Sequence, residues 1–490
     1  MPGKVARVYP ASGANAMLPL TPSNNYTPTI LFCGGQFLED YSWGNYSYPF
    51  VNTWTVPAST DCQRITPEPA DGSSPAYVQD DNLPVGRTMG QFIALPDGTF
   101  LIVNGAENGT AGYAQQTLTV PLGAMPFGES LAAGPVGQPA IYNPNAPAGS
   151  RWSTANLGSS NIPRLYHSSA LLLPDGSVMV AGSNPNIDVN LTTIYPTTYT
   201  AEYFYPPYFS APTRPVPQNI PNTLSYGGDH FDITVPSTSY SGAANDAADN
   251  TTIWLIRPGF TTHAMNMGQR IMELNNTYTV NSNGTIIFHT AQLPPNPNLF
   301  QPGPAMLFVT INGIPSNGTF VIVGNGKLGD QPTSAVSVLP TSVRVSSASG
   351  SAPSSPSSSG SNGSTSHTGL IIGAVVAGIA AVGVVGAVFG ICLARRRRSA
   401  AAAGSSQIYP ASGAGLGGFA GREMRSSDSS AFVPFRQSNY SDAALMHSPN
   451  RDQFERASSQ FEPRASSQFA HSAEFDPYRD ALLPRSSTPR

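Results

Sequence analysis

Apolar positions in this chain fall in short runs closed by turn residues, the pattern of β-strands rather than of amphipathic helices. The clearest case is Ala170-Leu171-Leu172-Leu173-Pro174-Asp175-Gly176-Ser177-Val178-Met179-Val180-Ala181-Gly182. Asp-Gly supplies the positive φ angles that a tight turn between twisted strands requires, so this stretch predicts a hairpin. Phe92-Ile93-Ala94-Leu95-Pro96-Asp97-Gly98-Thr99-Phe100-Leu101-Ile102-Val103 repeats it, and a looser copy runs from Ala16-Met17-Leu18 to Leu31-Phe32-Cys33-Gly34-Gly35. Recurring units of this kind predict blades of a kelch-type β-propeller, each small sheet burying its faces against a neighbour. Blades take about 40–50 residues. Residues 1–205, with loop-rich inserts at 36–85 and 107–150, are therefore expected to hold about four, a partial propeller.

Past Tyr205-Pro206-Pro207-Tyr208-Phe209 the runs become β-branched and aromatic: Phe231-Asp232-Ile233-Thr234-Val235, Thr251-Thr252-Ile253-Trp254-Leu255-Ile256, Ile286-Ile287-Phe288 and Ala305-Met306-Leu307-Phe308-Val309. Their spacing predicts an immunoglobulin-like sandwich over 211–328. Residues 331–368 are rich in Ser, Gly and Pro and read as a flexible, O-glycosylated stalk. Gly369 to Ala394 carries no charge and is long enough to cross a bilayer as a helix, and Arg395-Arg396-Arg397-Arg398 follows at once. This predicts a single-pass membrane protein with its β body outside and residues 395–490 as a disordered cytoplasmic tail. The tail repeats Arg456-Ala457-Ser458-Ser459-Gln460-Phe461 at 464–469, and nothing in it names a partner. Gly413-Ala414-Gly415-Leu416-Gly417-Gly418 has the letters of a dinucleotide loop without the flanking strand and helix, and reads as composition.

Charge supports the same division. The chain has 490 residues and a net charge of -4; residues 1–368 hold 11 basic against 19 acidic groups, and 395–490 hold 13 against 9. An acidic body does not gather phosphates, so nucleic acid is not an expected partner. The sequons at Asn25, Asn45, Asn108, Asn190, Asn250, Asn275, Asn283, Asn317 and Asn362 precede the apolar segment, and only Asn439 follows it. Met1-Pro2-Gly3-Lys4-Val5-Ala6-Arg7 leads into no apolar run and is not a signal peptide. Cys33 and Cys62 are available for one disulfide, Cys392 lies in the apolar segment, and no spacing predicts structural zinc.

Histidine is scarce before the stalk: His167, His230, His263 and His289. Tyr166-His167 places a phenol and an imidazole at the mouth of the first hairpin, and His263 lies in Phe260-Thr261-Thr262-His263-Ala264-Met265-Asn266-Met267-Gly268-Gln269-Arg270. Two imidazoles and a phenolate suit copper, which favours nitrogen and oxygen donors. Singly, each histidine reads as a satisfied structural residue.

Pro163-Arg164-Leu165-Tyr166-His167-Ser168 with its Pro-Asp-Gly hairpin, and the loop around His263, resemble the fungal copper radical oxidases, glyoxal oxidase in particular. So do Cys62-Gln63-Arg64-Ile65 and Gln301-Pro302-Gly303-Pro304-Ala305-Met306-Leu307-Phe308; the likeness covers residues 5–328. It implies an all-β protein in which a propeller carries an early-set sandwich. It also implies one copper ion held by Tyr166, His167 and His263, with Tyr166 the axial and catalytic tyrosine. The implied reaction takes small aldehydes such as glyoxal or methylglyoxal to carboxylic acids while O2 becomes H2O2. The family's Tyr-Cys radical cofactor has no match: Arg7-Val8-Tyr9-Pro10 resembles its context superficially, but the residues after it match a later blade, and Cys33 and Cys62 match a structural pair. The chain is therefore expected to begin partway into a longer protein and to be an incomplete oxidase. The alternative is a non-catalytic cell-surface protein that binds wall glycans or protein partners.

Overall fold

The computed structural model describes residues 2–44, 48–263, 265–346 and 432–434. Each predicted hairpin forms. Strands β1 (Ala14–Met17), β2 (Ile30–Cys33), β3 (Cys62–Ile65) and β4 (Tyr77–Gln79) make an antiparallel meander. A second meander contains β5 (Gln91–Ala94) and β6 (Phe100–Val103). Next in sequence come β7 (Ala106–Tyr113) and β8 (Pro126–Pro135), which form a two-stranded sheet of their own, with single bridges from β7 to Thr88 and Pro57. Strands β9 (Ala140–Tyr142) and β10 (Trp152–Ser153) then complete the second meander. The third contains β11 (Ser168–Leu172), β12 (Val178–Gly182) and β13 (Ala201–Phe204). There are thus three such sheets among the described residues of 1–205, not about four. Much of the 107–150 insert folds as the separate β7–β8 ribbon instead of as another sheet.

The first strands β1, β5 and β11 stand side by side. At the far end of the second and third sheets the Asp-Gly turns share one construction. Asp97 Oδ1 accepts from Thr99 N (3.0 Å) and Thr99 Oγ1 (2.6 Å), and Asp175 Oδ1 from Ser177 N (2.9 Å) and Ser177 Oγ (2.6 Å). Gly98 and Gly176 take φ of 83° and 86°. A Cβ on Gly98 would also stand 2.8 Å from the Trp254 ring, because this turn rests on the second half of the protein. Cys33 and Cys62 face each other across β2 and β3 and are disulfide-bonded.

The second half is a sandwich. After β14 (Thr223–Leu224), β15 (Tyr226–Gly228) and β16 (Phe231–Val235), the helix α1 (Ala244–Asp249) leads into β17 (Thr251–Arg257). A hairpin follows, of β18 (Phe260–Thr262) and β19 (Met265–Met267). Then come β20 (Arg270–Glu273), β21 (Asn276–Val280), β22 (Ile286–Thr290), β23 (Gly303–Ile311), β24 (Ile314–Pro315), β25 (Thr319–Val323) and β26 (Thr333–Val336). The larger sheet runs β14-β25-β23-β17-β20 with β24 on β23, and β16-β22-β21 forms the smaller one.

Both faces of the larger sheet are covered, which explains why β17 and β23 read as unbroken apolar runs rather than alternating ones. Ile253, Leu255, Leu307 and Val309 pack with Ile233, Val235 and Phe288 in the sandwich core. Their strand neighbours Trp254, Ile256, Met306 and Phe308 pack with Phe92, Phe100, Ala170 and Val178 of the meanders. The turns add polar ties: Gly318 N donates to Pro174 O (2.7 Å) and Arg214 Nη2 to Asp175 O (2.7 Å).

The stalk was expected over 331–368, but its first part, through 346, is held against the sandwich, and 347–368 lie outside the described residues. Residues 333–336 form β26 on β15; Val343 N donates to Tyr278 O (2.7 Å), Val345 N to Asn245 Oδ1 (3.0 Å), and Arg344 pairs with Asp249 (2.7 Å). Backbone hydrogen bonds to open strand edges hold a segment that composition reads as unstructured. A short strand, β27 (Phe432–Pro434), pairs antiparallel with β13. The predicted membrane span at 369–394 lies outside the described residues, and no helix among the described residues is long and apolar enough to cross a membrane.

Candidate metal centre

The three meanders begin alike. Arg7, Arg87 and Arg164 are buried shortly before β1, β5 and β11, and two residues on stand Tyr9, Met89 and Tyr166. Each arginine ties its own sheet together. Arg7 pairs with Asp61; Arg87 donates to Asn104 O (2.7 Å) and Gln138 O (2.9 Å). Arg164 donates to Gly182 O (2.8 Å), Thr200 O (2.9 Å) and the Glu202 carboxylate (2.9 Å). A rigid cationic anchor thus fixes the backbone from which the next side chains project.

Tyr166 and His167 stack with ring centres 3.9 Å apart. Tyr166 is buried and His167 exposed. The Tyr9 ring lies 6.0 Å from Tyr166 and meets the His263 ring edge-on at 5.2 Å, so Tyr9 contacts both expected ligands. Tyr113, at the end of β7, lies 6.4 Å from both Tyr166 and His167. A cleft of about 750 Å³ opens beside them, lined by Tyr9, Trp43, Tyr48, Thr53, Tyr113 and Tyr166.

His263 arrives from the other half of the protein. It is the first residue of the two-residue turn between β18 and β19, whose strands pair Thr262 with Met265. The hairpin packs among the first strands, β19 against β1 and β5 and β18 against β11. Its base is locked to β5: Asn266 Nδ2 and Gln269 Nε2 donate to Phe92 O (3.2 and 3.1 Å), and Ala94 N donates to Gln269 Oε1 (2.9 Å). Gly259 permits the approach, since a Cβ there would stand 2.1 Å from Asn266 Oδ1.

The imidazoles are prepared as donors. His167 Nδ1 lies 2.8 Å from the carbonyl of Asn184, which only accepts, so Nδ1 carries the proton and Nε2 keeps its lone pair. His263 Nδ1 is engaged by Thr262 Oγ1 at 2.9 Å, so Nε2 is the ring nitrogen without a side-chain partner on its own hairpin. Both residues have left-handed backbones, φ 67° and 52°, which cost a non-glycine residue about 1 kcal/mol or more and persist where the surroundings impose them. Burial, followed by the hydrogen bond with Tyr9 and the nearby Tyr9 and Tyr113 phenols, pushes the Tyr166 phenol well above the usual tyrosine range. A phenol so placed gives its proton up to solvent only where a cation compensates the phenolate charge. Two imidazoles beside such a phenol fit a copper-class ion.

The structure therefore stacks Tyr166 on His167 and brings His263 to the same group through Tyr9. Two neighbours went unassigned in the sequence. Tyr9 was signalled by the Arg-x-Tyr spacing it shares with Tyr166, whereas nothing local marks Tyr113, at the end of a strand of small residues. No thioether is available from Cys33 or Cys62, because they are bonded to each other.

The chain is all-β in two parts, and the second brings an imidazole against the Tyr9 phenol of the first, beside the buried Tyr166. Residues 1–208 match the family model described as glyoxal oxidase N-terminus, and residues 214–323 match galactose oxidase-like, early set domain. The chain is 32% identical over 325 residues to aldehyde oxidase GLOX1 of Arabidopsis thaliana, covering 64% of this chain and 48% of that protein. It is 32% identical over 319 residues to aldehyde oxidase GLOX of Vitis pseudoreticulata (64% and 54%) and 31% over 263 residues to galactose oxidase of Gibberella zeae (53% and 32%). The chain belongs to the copper radical oxidase family of glyoxal oxidase and galactose oxidase-like proteins. It spans about half the length of the aldehyde oxidases it matches.

Proposed function

We propose that this chain carries the copper-binding portion of an oxidase of small aldehydes, with Tyr166, His167 and His263 as ligands. The balanced reaction is RCHO + H2O + O2 → RCOOH + H2O2, and the bound copper supplies one-electron redox chemistry. The protein's own part is positional. Asn184 fixes the His167 tautomer, the β18–β19 hairpin holds His263, and Tyr166 provides a phenol whose proton leaves when a cation arrives. The cleft beside Tyr9 and Tyr113 is large enough for a two- or three-carbon aldehyde and is walled by aromatic rings. We read the three meanders as blades of a partial propeller around β1, β5 and β11, and 369–394 as a membrane anchor with the β body outside.

The observation that carries this reading is the hairpin packed among three first strands with His263 at its turn. Cys33 and Cys62 are bonded to each other, so neither is free for a thioether to a tyrosine. The test is Cu2+ binding by the full chain carrying His230→Ala and His289→Ala, so that no other imidazole pair takes up copper, followed by electron paramagnetic resonance, with peroxide release from methylglyoxal measured alongside. Two imidazole nitrogens should couple to the copper, falling to one in His263→Ala and in His167→Ala. A spectrum unchanged in His263→Ala would remove the assignment.

A further inference from the structure

The sandwich carries a second group of metal-type donors, away from the β18–β19 hairpin. His230, immediately before β16, and Asp232, its second residue, lie two residues apart and so lie on the same side of the smaller sheet. His289 on β22 is directly opposite Asp232 in the register. The alternate residues Ile233, Val235 and Phe288 fill the sandwich core, which turns the three polar side chains to the outer face. One nitrogen or oxygen of each lies within 4.8 Å of the others. His289 Nδ1 is 2.7 Å from Asp232 Oδ1, and His230 Nε2 is 3.9 Å from the same oxygen.

We propose that His230, Asp232 and His289 form a site for a divalent first-row transition ion of the zinc or copper class, distinct from the Tyr166 group. An ion about 2.0–2.2 Å from nitrogen and oxygen donors holds adjacent donors roughly 3–3.5 Å apart. The His289–Asp232 pair is already near that spacing, and His230 closes by a side-chain rotation at the surface. The second ring nitrogen of His289 is prepared as well. Its Nε2 lies 3.0 Å from Thr279 Oγ1 on β21. Nδ1 donates to the Asp232 carboxylate, which only accepts, so an incoming ion displaces that proton to solvent and Nε2–H then donates to Thr279. His230 is anchored through its backbone, N donating to Ser337 Oγ (3.0 Å) just past β26. Two imidazoles and a carboxylate select a transition ion over calcium or magnesium, which take oxygen ligands. Three protein ligands leave at least one position for water. Bound there, the ion ties β16, an edge strand, to β22, and stabilises the sandwich by mass action.

The site also bears on metal counting in this protein. Copper binds such donors more tightly than zinc does, so copper added for the first site would load this one too, and a stoichiometry near two would result. The test is calorimetric titration of the full chain with Zn2+, using His167→Ala/His263→Ala as the parent so that the two sites are read apart. One zinc per chain is expected. Affinity should fall at least about 10-fold in His289→Ala and in the near-isosteric Asp232→Asn, and about 10-fold in Thr279→Val, the usual cost of losing an outer partner. Unchanged zinc affinity in Asp232→Asn and His289→Ala overturns the proposal, as does a parent that binds no zinc. Because the titration is made without His167 and His263, neither result depends on the oxidase reading.

Discussion

Replacing Arg164 by Met should cost about 3–5 kcal/mol of stability, the range for breaking a buried ion pair by removing one partner. The side chains of Arg164 and Glu202 are 3% and 5% exposed, so screening by water is slight. Without the guanidinium, Glu202 keeps only Ser160 Oγ, at 3.0 and 2.9 Å from its two oxygens, and the carbonyls of Gly182 and Thr200 lose a donor. Each of those losses is of order 1 kcal/mol or more, and the stranded carboxylate is the largest. Glu202→Gln leaves an acceptor for both Arg164 and Ser160 and should cost roughly half as much. Replacing both residues with apolar ones of similar volume should recover much of the loss. Urea unfolding of the full-length variants measures this, with Cu2+ affinity as the second readout. Tyr166 and His167 follow directly on the anchored residue, so Arg164→Met should weaken copper more than Glu202→Gln does. A loss below about 1 kcal/mol in Arg164→Met, or an equal loss in Glu202→Gln, would show that the anchor argument is wrong.

Other outcomes follow from single features. Cys33 and Cys62 close a loop with a sequence separation of 29, and chain entropy puts their bond at about 3–4 kcal/mol, so Cys33→Ser/Cys62→Ser should lower the urea midpoint accordingly. Burial raises the Asp97 carboxyl above the usual range, against the pull of its Thr99 hydrogen bonds. A raised folded-state value means that stability from this group is present below the unfolded value, about 4, and is lost as pH rises through the folded one. Asp97→Asn should therefore gain on the parent as pH rises from about 4 toward neutrality, and a constant difference would contradict the sign. Phe308, fully buried between the two halves, should cost about 3–5 kcal/mol as Phe308→Ala, read by thermal unfolding. A chain ended after residue 330 should melt below one ended after 346, because only the longer one keeps β26 and the Arg344–Asp249 pair.

The hairpins were legible because Asp-Gly states a turn locally and the flanking runs need no partner to be recognised. The sandwich runs were legible too, although only the structure explains why β17 and β23 do not alternate: Trp254 and Phe308 face the meanders while Leu255 and Leu307 face the sandwich. The β7–β8 ribbon was not legible. Ala106-Glu107-Asn108-Gly109-Thr110-Ala111-Gly112-Tyr113 has no apolar rhythm, and its residues form strands through pairing with β8. Segment 333–346 was missed for the same reason, since its order comes from edges supplied by β15 and β21. At the site, Tyr166, His167 and His263 stood out by motif. Tyr9 needed the comparison of Arg7-Val8-Tyr9 with Arg164-Leu165-Tyr166, and Tyr113 needed the folded chain, because its neighbours are brought there from other sheets.

The membrane anchor and the fourth strand of the third meander make opposing demands. Strand β27 lies C-terminal to the uncharged segment 369–394, and β13 lies N-terminal to it. If 369–394 spans a bilayer, β13 and β27 of one molecule are on opposite faces, and their pairing is impossible in that state. The charge pattern favours the span: four arginines at one end of an uncharged segment that contains no glutamate or aspartate are costly to bury and are held at the cytoplasmic face. With the span in place, the N–H and C=O groups along the outer edge of Ala201–Phe204 lack β27, and an open edge of this kind takes up any strand within reach. Protease treatment of sealed vesicles carrying the full chain decides between the arrangements. Protection of residues 436–490 with the β body accessible supports the anchor, whereas digestion of both from the same side supports the β13–β27 pairing and removes the membrane assignment.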